Sequence, residues 1–486
     1  MPAAVTGTAT PAPVGTRTRR ALTFGLCTAV VAVAFEAIAV ATAMPAAARE
    51  LDGLDLYAWA FSLFLIGQLF ATVAGGRLCD RIGPARPMAG ALLLFAAGLL
   101  VAATATTMVQ LVLGRLLQGL ASGVVGVAMY VVIAHVYDER QRPRMMSYVS
   151  SAWVLPSFVG PFAAAWLTEH LDWRAVFWAV LPLLGFGAVM MLPPLLRVAD
   201  GPASRAPAPD VSDDRRRRNG TPSVRPAALW AAGLAATGAA LVQLGGQRLS
   251  VVGLLVGVLG LVLVGLSLPN LMPPGFFRFR PGLAPIIVVR ALMAGAFFGA
   301  EAFLPLMLVE QREVSLLAAG STLTVGAVGW SLGAWAQSLR RLDVPRDRVI
   351  GLGAGSLLLG VGLVAAVAWW RLPLGVVLLA WTFAGLGMGL ATSSTSLATM
   401  TLSDATSQGR NASSLQFGEA FGGGLFVGVG GTVFAALRPT GDLSLSFASI
   451  LAAMTVVALL AVLASLRVGP VGPPRHAPAV PSHQVD

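Results

Sequence analysis

The chain of 486 residues contains no lysine, and all 33 of its basic residues are arginine. Such one-sided usage reflects the codon bias of a GC-rich genome and points to no function. Charge of either sign is scarce, at 11% of residues, whereas a soluble domain carries about 25%. A globular chain of this length buries a large core but still needs far more polar surface than this one has. The missing polar surface must face lipid, in keeping with a mean hydropathy of +0.78. Cysteine is nearly absent: Cys27 and Cys79 cannot form a disulfide framework and suit close packing as small residues. With no CxxC and no clustered histidine, neither a metal centre nor a cofactor is expected. Glycine-rich stretches at 351–355 and 385–389 lie inside apolar runs and lack a Lys-Ser/Thr tail. They are not phosphate loops, which excludes ATP-driven transport on this chain. No nucleophile and base stand together, so the chain is not expected to be an enzyme.

What is abundant is apolar sequence in long runs. A run of about 18 or more residues is long enough to span a bilayer as a helix. Fourteen such runs occur, near 22–46, 54–76, 86–106, 109–135, 146–168, 174–196, 227–245, 249–268, 283–309, 315–338, 350–370, 373–398, 410–436 and 444–467. The first follows Arg17, Arg19 and Arg20, but it exceeds the roughly 7–15 residues of a signal-peptide core and holds Glu36. It counts as a spanning helix. The 55 glycines suit a bundle whose helices approach closely.

Arginine placement orients the chain. With the N-terminus in the cytoplasm and the runs alternating, 25 arginines fall inside and six outside, namely Arg49, Arg174, Arg248, Arg312, Arg371 and Arg438. Cytoplasmic segments are the ones enriched in basic residues, so both termini are expected in the cytoplasm of a cell that carries the protein in its inner membrane. The net charge of +11 therefore marks topology, and no nucleic-acid partner is expected. Residues 199–226, rich in Pro, Ser, Asp and Arg, read as a disordered cytoplasmic linker. Its Arg215–Arg218 run suits an anchor on anionic lipid.

The predicted organisation is an N-terminal tail (1–21), a six-helix bundle (22–198), the linker, two inserted helices (227–268), a second six-helix bundle (283–467) and a C-terminal tail (468–486). The inserted pair has no ionisable residue except Arg248 at its turn and is expected at the periphery.

Four motifs carry a resemblance. After the second run stands Gly76-Arg77-Leu78-Cys79-Asp80-Arg81-Ile82-Gly83-Pro84-Ala85-Arg86. It resembles the loop signature of the major facilitator superfamily, G-x-L-x-D-R-x-G-R-R, with Pro84 and Ala85 in place of the usual basic pair. The fourth run has Leu111, Arg115, Gln118 and Gly119 in the family's L-x-x-x-R-x-x-Q-G pattern. The first run, with Phe35-Glu36-Ala37 and Ala43-Met44-Pro45, is similar to the acid-then-A-L-P pattern of the fourteen-helix drug:proton antiporters, where the acid is usually Asp. Asp172-Trp173-Arg174 and Phe177-Trp178 match the same subfamily. The antiporter motif of helix five is reduced to Gly160-Pro161, with Pro156, Ala164 and Ala165 replacing its other glycines. In the second half, Arg340-Arg341-Leu342-Asp343 is a faint echo of the first loop.

The resemblance implies an all-α transporter that exports amphipathic small molecules in exchange for protons by alternating access. Small molecules, protons and membrane lipids would be its partners, and it would act as a monomer. An importer or lipid transporter of the same fold, or a membrane scaffold, are the alternatives. Asp80 and Arg81, bounded by Gly76 and Gly83, would form a gating loop whose charged hydrogen bonds exist in only one conformation.

Ionisable residues inside the bilayer are costly and are functional candidates for that reason. Glu36 lies ten residues before the outer end of its run, roughly 15 Å deep. Arg115 lies roughly 10 Å down from the same side and is placed to pair with it. Burial and a nearby guanidinium pull a carboxyl group's titration in opposite directions, which suits proton exchange; a fixed structural pair is the plainer reading. Glu301, at nearly the same depth in the ninth run, is the quasi-symmetric counterpart of Glu36. Glu419 suits either the substrate cavity or snorkelling. Arg290, near the cytoplasmic end of the ninth run, is expected to snorkel to lipid phosphate.

Overall fold

The computed structural model describes residues 16–138, 141–199, 226–247, 250–337, 344–404 and 407–471. Residues 200–225 of the proposed linker, both tail ends, Arg248 and the Arg340–Asp343 echo lie outside the described residues. Among the described residues the fold is all-α, without strands, and holds fourteen long helices. In the N-terminal half these are α1 (Thr16–Glu50), α2 (Tyr57–Ile82), α3 (Ala85–Ala103), α4 (Met108–Val136), α5 (Arg142–His170) and α6 (Arg174–Ala199). Two central helices follow, α7 (Pro226–Gln247) and α8 (Val251–Leu271). The C-terminal half comprises α9 (Leu283–Arg312), α10 (Leu316–Ala336), α11 (Arg346–Trp370), α12 (Leu374–Thr401), α13 (Gln408–Leu437) and α14 (Leu443–Ser465).

Thirteen of these helices are long and apolar enough to cross a membrane. The exception is α5, whose apolar run is diluted by Ser, Trp, Pro156 and Pro161. Its length and its packing along α1 still give it the place of a spanning helix. The chain is a multi-pass membrane protein.

The halves repeat one another in their packing. In the first, α1 packs on α5 and α6, α4 on α2 and α3, and α3 on α6. In the second, α9 packs on α13 and α14, α12 on α10 and α11, and α11 on α14. Each contact maps onto its counterpart when α1 is matched to α9 and the rest in order. The two main contacts between halves, α2 with α13 and α5 with α10, also exchange under this match. Glycine allows the same crossing in both halves. A methyl group at Gly119 of α4 would overlap the Phe64 carbonyl of α2, and one at Gly385 of α12 would overlap the Gly326 carbonyl of α10. Small residues at such crossings let backbones approach closely where lipid offers helices no hydrophobic drive to associate.

The central pair divides. α8 packs mainly on α7 and presents Val251, Leu254, Leu255 and Leu266 outward. α7, expected at the periphery, keeps Trp230, Leu234 and Leu244 exposed and also packs against both α2 and α13. Its small-residue faces let it settle into that groove, where Gly246 lies against Thr432 of α13.

The motif after α2 also differs from expectation. Gly76, Asp80 and Arg81 lie on the last two turns of α2, which continues to Ile82. Only Gly83 and Pro84 form the turn, and Gly83 has φ +74° and ψ 169°, a conformation open to glycine but strained for other residues.

Candidate transport site: two buried arginine–glutamate pairs

The face that bears the start of α1 and the end of α14 is the terminal face; the opposite one is the distal face. Seven residues in from the distal start of α4, Arg115 enters the core. It is 3% exposed, and Glu36 of α1 is fully buried. The guanidinium forms an ion pair with Glu36 Oε1. It also donates to Gln118 Oε1 at 2.6 Å and, through Nε, to the Ala60 carbonyl at 3.1 Å. Its Cζ lies 4.4 Å from the ring centroid of Phe64, so the cation rests on an aromatic face. Among the described residues, Glu36 Oε2 and Gln118 Nε2 have no hydrogen-bond partner. The charge is thus matched while one carboxylate oxygen stays without a hydrogen bond among the described residues.

The C-terminal half holds a second pair that sequence reasoning missed. Arg290, expected to snorkel to lipid, is 6% exposed and points inward. Its guanidinium donates to Glu419 Oε2 of α13 at 2.8 Å, to the Thr392 carbonyl at 2.7 Å and to Thr395 Oγ1 at 2.9 Å. The correction has a plain cause: α9 is the most buried of the spanning helices, and its register aims residue 290 at α12 and α13. Glu419 neither snorkels nor stands alone. Its side chain is 24% exposed, and it lies within electrostatic reach of the exposed Tyr130 on α4.

Glu301 lies on α9, the counterpart of α1 in the packing. It is partly exposed and, among the described residues, accepts no hydrogen bond and makes no ion pair. One turn earlier, Phe297 stacks on Trp381 with centroids 5.0 Å apart and meets Trp330 edge-on at 5.4 Å. Gly160 and Pro161 of α5 sit where α1, α5 and α10 meet: Gly160 faces Ile38, and the Pro161 carbonyl abuts Gly320. Asp80 and Arg81 are exposed, and Asp80 makes no ion pair among the described residues.

The direct hydrogen bonds that join the halves, among the described residues, all lie in the distal half. Arg49 bonds Glu310, Arg438 bonds Asp55, the Tyr57 hydroxyl donates to the Ala302 carbonyl at 2.8 Å, and Glu169 accepts from the Leu317 amide at 3.3 Å. A further clasp braces the distal end of the first half. Glu50 accepts from Trp173 Nε1 at 2.9 Å and from Arg174 at 2.7 Å, while Arg174 also donates to the Ala105 carbonyl. This gives Asp172-Trp173-Arg174 a structural part to play. A polar pocket of about 560 Å³ on the distal face is lined by Glu310, Glu313, Arg371 and Asp442. It lies within the second half, away from the buried pairs.

Comparisons with known proteins agree with this architecture. The family model of the Major Facilitator Superfamily matches residues 24–427. A probable multidrug-efflux transporter of Mycobacterium tuberculosis is 26% identical over 362 residues, covering 72% of this chain and 73% of the relative. An uncharacterised MFS-type transporter of the same species is 28% identical over 307 residues, covering 62% of this chain and 42% of the relative. The chain thus spans less than half the length of that relative. Among solved structures, an auto-inhibited POT-family peptide transporter superposes with a TM-score of 0.64 at 16% identity, over 93% of this chain and 99% of that one. A bacterial homologue of the human lysosomal transporter Spinster, solved inward-facing and unoccupied, gives 0.59 at 14% identity over 93% and 98%. Such identities show the fold alone. With two matched six-helix halves and a family match across most of its length, this chain belongs to the major facilitator superfamily, whose members are membrane transporters of small molecules and not enzymes.

Proposed function

We propose that the protein exports amphipathic small molecules across the cell membrane in exchange for protons, by alternating access, with its terminal face in the cytoplasm. The observation that carries this reading is the Glu36–Arg115 pair: a wholly buried carboxylate with one unsatisfied oxygen, in a bundle bonded shut at its distal face. An acid in that position exchanges protons only when the halves rearrange, which is the requirement for coupling proton movement to substrate movement. Two features support the orientation and direction. The arginines concentrate in segments on the terminal side, and relatives named as probable multidrug-efflux transporters match this chain. The second pair, Arg290–Glu419, sits nearer the terminal face and is partly exposed, while Glu301, at nearly the depth of Glu36, offers a carboxyl that makes no ion pair among the described residues. Asp80 and Arg81, without an ion pair among the described residues, would latch the terminal face when it closes.

The test uses the full chain in sealed vesicles with an imposed pH gradient and ethidium as the probe. Wild type should accumulate the dye against its gradient, and Glu36→Gln, which cannot release a proton, should bind dye but lose gradient-driven accumulation. Unchanged uphill transport with unchanged pH dependence in Glu36→Gln would overturn the assignment.

A further inference from the structure

Helix α7 lies in the groove between α2 of the first half and α13 of the second, and it meets each differently. Toward α2, Gln247 Oε1 accepts from Trp59 Nε1 at 2.7 Å. Toward α13, Gln243 packs against Gly428 and Gly431. Gln243 is 3% exposed, yet neither its Oε1 nor its Nε2 has a hydrogen-bond partner among the described residues. Two more buried polar atoms nearby are also unmatched: Gln247 Nε2 and Ser62 Oγ, the latter on α2 one turn from Ala58, which abuts Gly431. In the bilayer no water stands ready to satisfy such groups, so each unmade bond raises the free energy of this conformation. Apolar residues of the same size would avoid that cost. A cost borne in one conformation is explained if the same groups are matched in another, because only a difference in interaction between two states shifts their balance.

We propose that α7 is a strut that couples the central helices to the alternation of the two halves. Gln247 holds it to α2 while the distal face is closed, and Gln243 gains its partners across the α2–α13 junction when that face opens. The α2–α13 contact is one of the two main seams between halves, so any rocking of the halves must alter the surroundings of Gln243. The proposal rests on the alternating-access reading above and assigns Gln243 and Gln247 as positioning residues with opposite preferences. Substrate contact is not part of either role.

The experiment is a distance measurement between spin labels at Leu171→Cys and Thr440→Cys, in full-length protein lacking Cys27 and Cys79 and reconstituted in nanodiscs. These exposed residues occupy the matched α5–α6 and α13–α14 turns on the distal face, so a short distance reports closure. Gln243→Met keeps length and volume but removes the hydrogen-bonding groups. It should raise the closed-to-open ratio about five-fold or more, the factor expected from relieving one unsatisfied buried polar group. Gln247→Met removes the bond to Trp59 and should lower the ratio. Gln243→Leu and Gln247→Leu repeat the comparison should either thioether variant fail to fold. Shifts of opposite sign support the strut. No shift at Gln243, or shifts of the same sign, would mean that α7 only packs, or that ordered water satisfies Gln243 in both states. A wild type with a single distance under all conditions would refute alternation itself, and the strut with it.

Discussion

Removing one charge of the Glu36–Arg115 pair should cost far more than removing both. In Glu36→Gln the guanidinium keeps its bonds to Gln118 and the Ala60 carbonyl and its contact with Phe64, but loses its counter-charge in a site 3% exposed. In Arg115→Met the carboxylate of Glu36 loses its only ion-pair partner among the described residues. Breaking a buried pair from one side costs about 3–5 kcal/mol, whereas replacing both members by groups of similar volume is close to neutral. The Gln118 and Ala60 acceptors left to Arg115 place Glu36→Gln at the lower end, about 3 kcal/mol. Arg115→Met should exceed it, limited by protonation of Glu36, since a stranded buried acid takes up a proton in preference to staying charged. The double variant should then be more stable than the sum of the singles by at least about 2 kcal/mol. The assay is a double-mutant cycle of reversible unfolding in mixed micelles, titrated with a denaturing detergent. Additivity within about 0.5 kcal/mol would show that the two groups do not interact in the folded protein, and the reading of the site would fail with it.

Three other outcomes are expected. Asp80→Asn should insert and fold normally, since Asp80 is exposed and makes no ion pair among the described residues, but it should transport poorly; near-normal transport would leave the motif without a gating role. In a variant lacking the native cysteines, a membrane-impermeant maleimide applied outside intact cells should modify a cysteine at position 52 and spare one at 210, and strong labelling at 210 would overturn the orientation. Arg290→Met should destabilise the second half by about 3 kcal/mol or less, because Glu419 is partly solvated and can keep its charge; detergent unfolding with a cost equal to or above that of Arg115→Met would contradict the difference in burial.

How much of this was legible in advance varies with the range of the interaction. Hydrophobic length, arginine asymmetry and the spacing of Leu111, Arg115, Gln118 and Gly119 are local properties of the chain. They were enough to place fourteen helices, to divide them into two halves and to put Glu36 and Arg115 at matching depths, since rise along a helix is constant. Angular position about the bundle is another matter. Whether Arg290 meets lipid or protein depends on which neighbours α9 acquires, and those are α12 and α13, about a hundred residues and more away in sequence. The same holds for α7, whose even, apolar sequence carries no mark of the groove it enters. Its glutamines acquire meaning only beside Trp59 and Gly428. The extension of α2 through Asp80 to Ile82 was hidden because polar residues at the membrane surface end an apolar run before the helix itself ends. Sequence alone thus determined what lies in the membrane and how deep. Tertiary packing decided which buried polar groups meet, because in a lipid-embedded bundle no water stands ready and a side chain's charged or amide partner comes from whichever helix lies beside it.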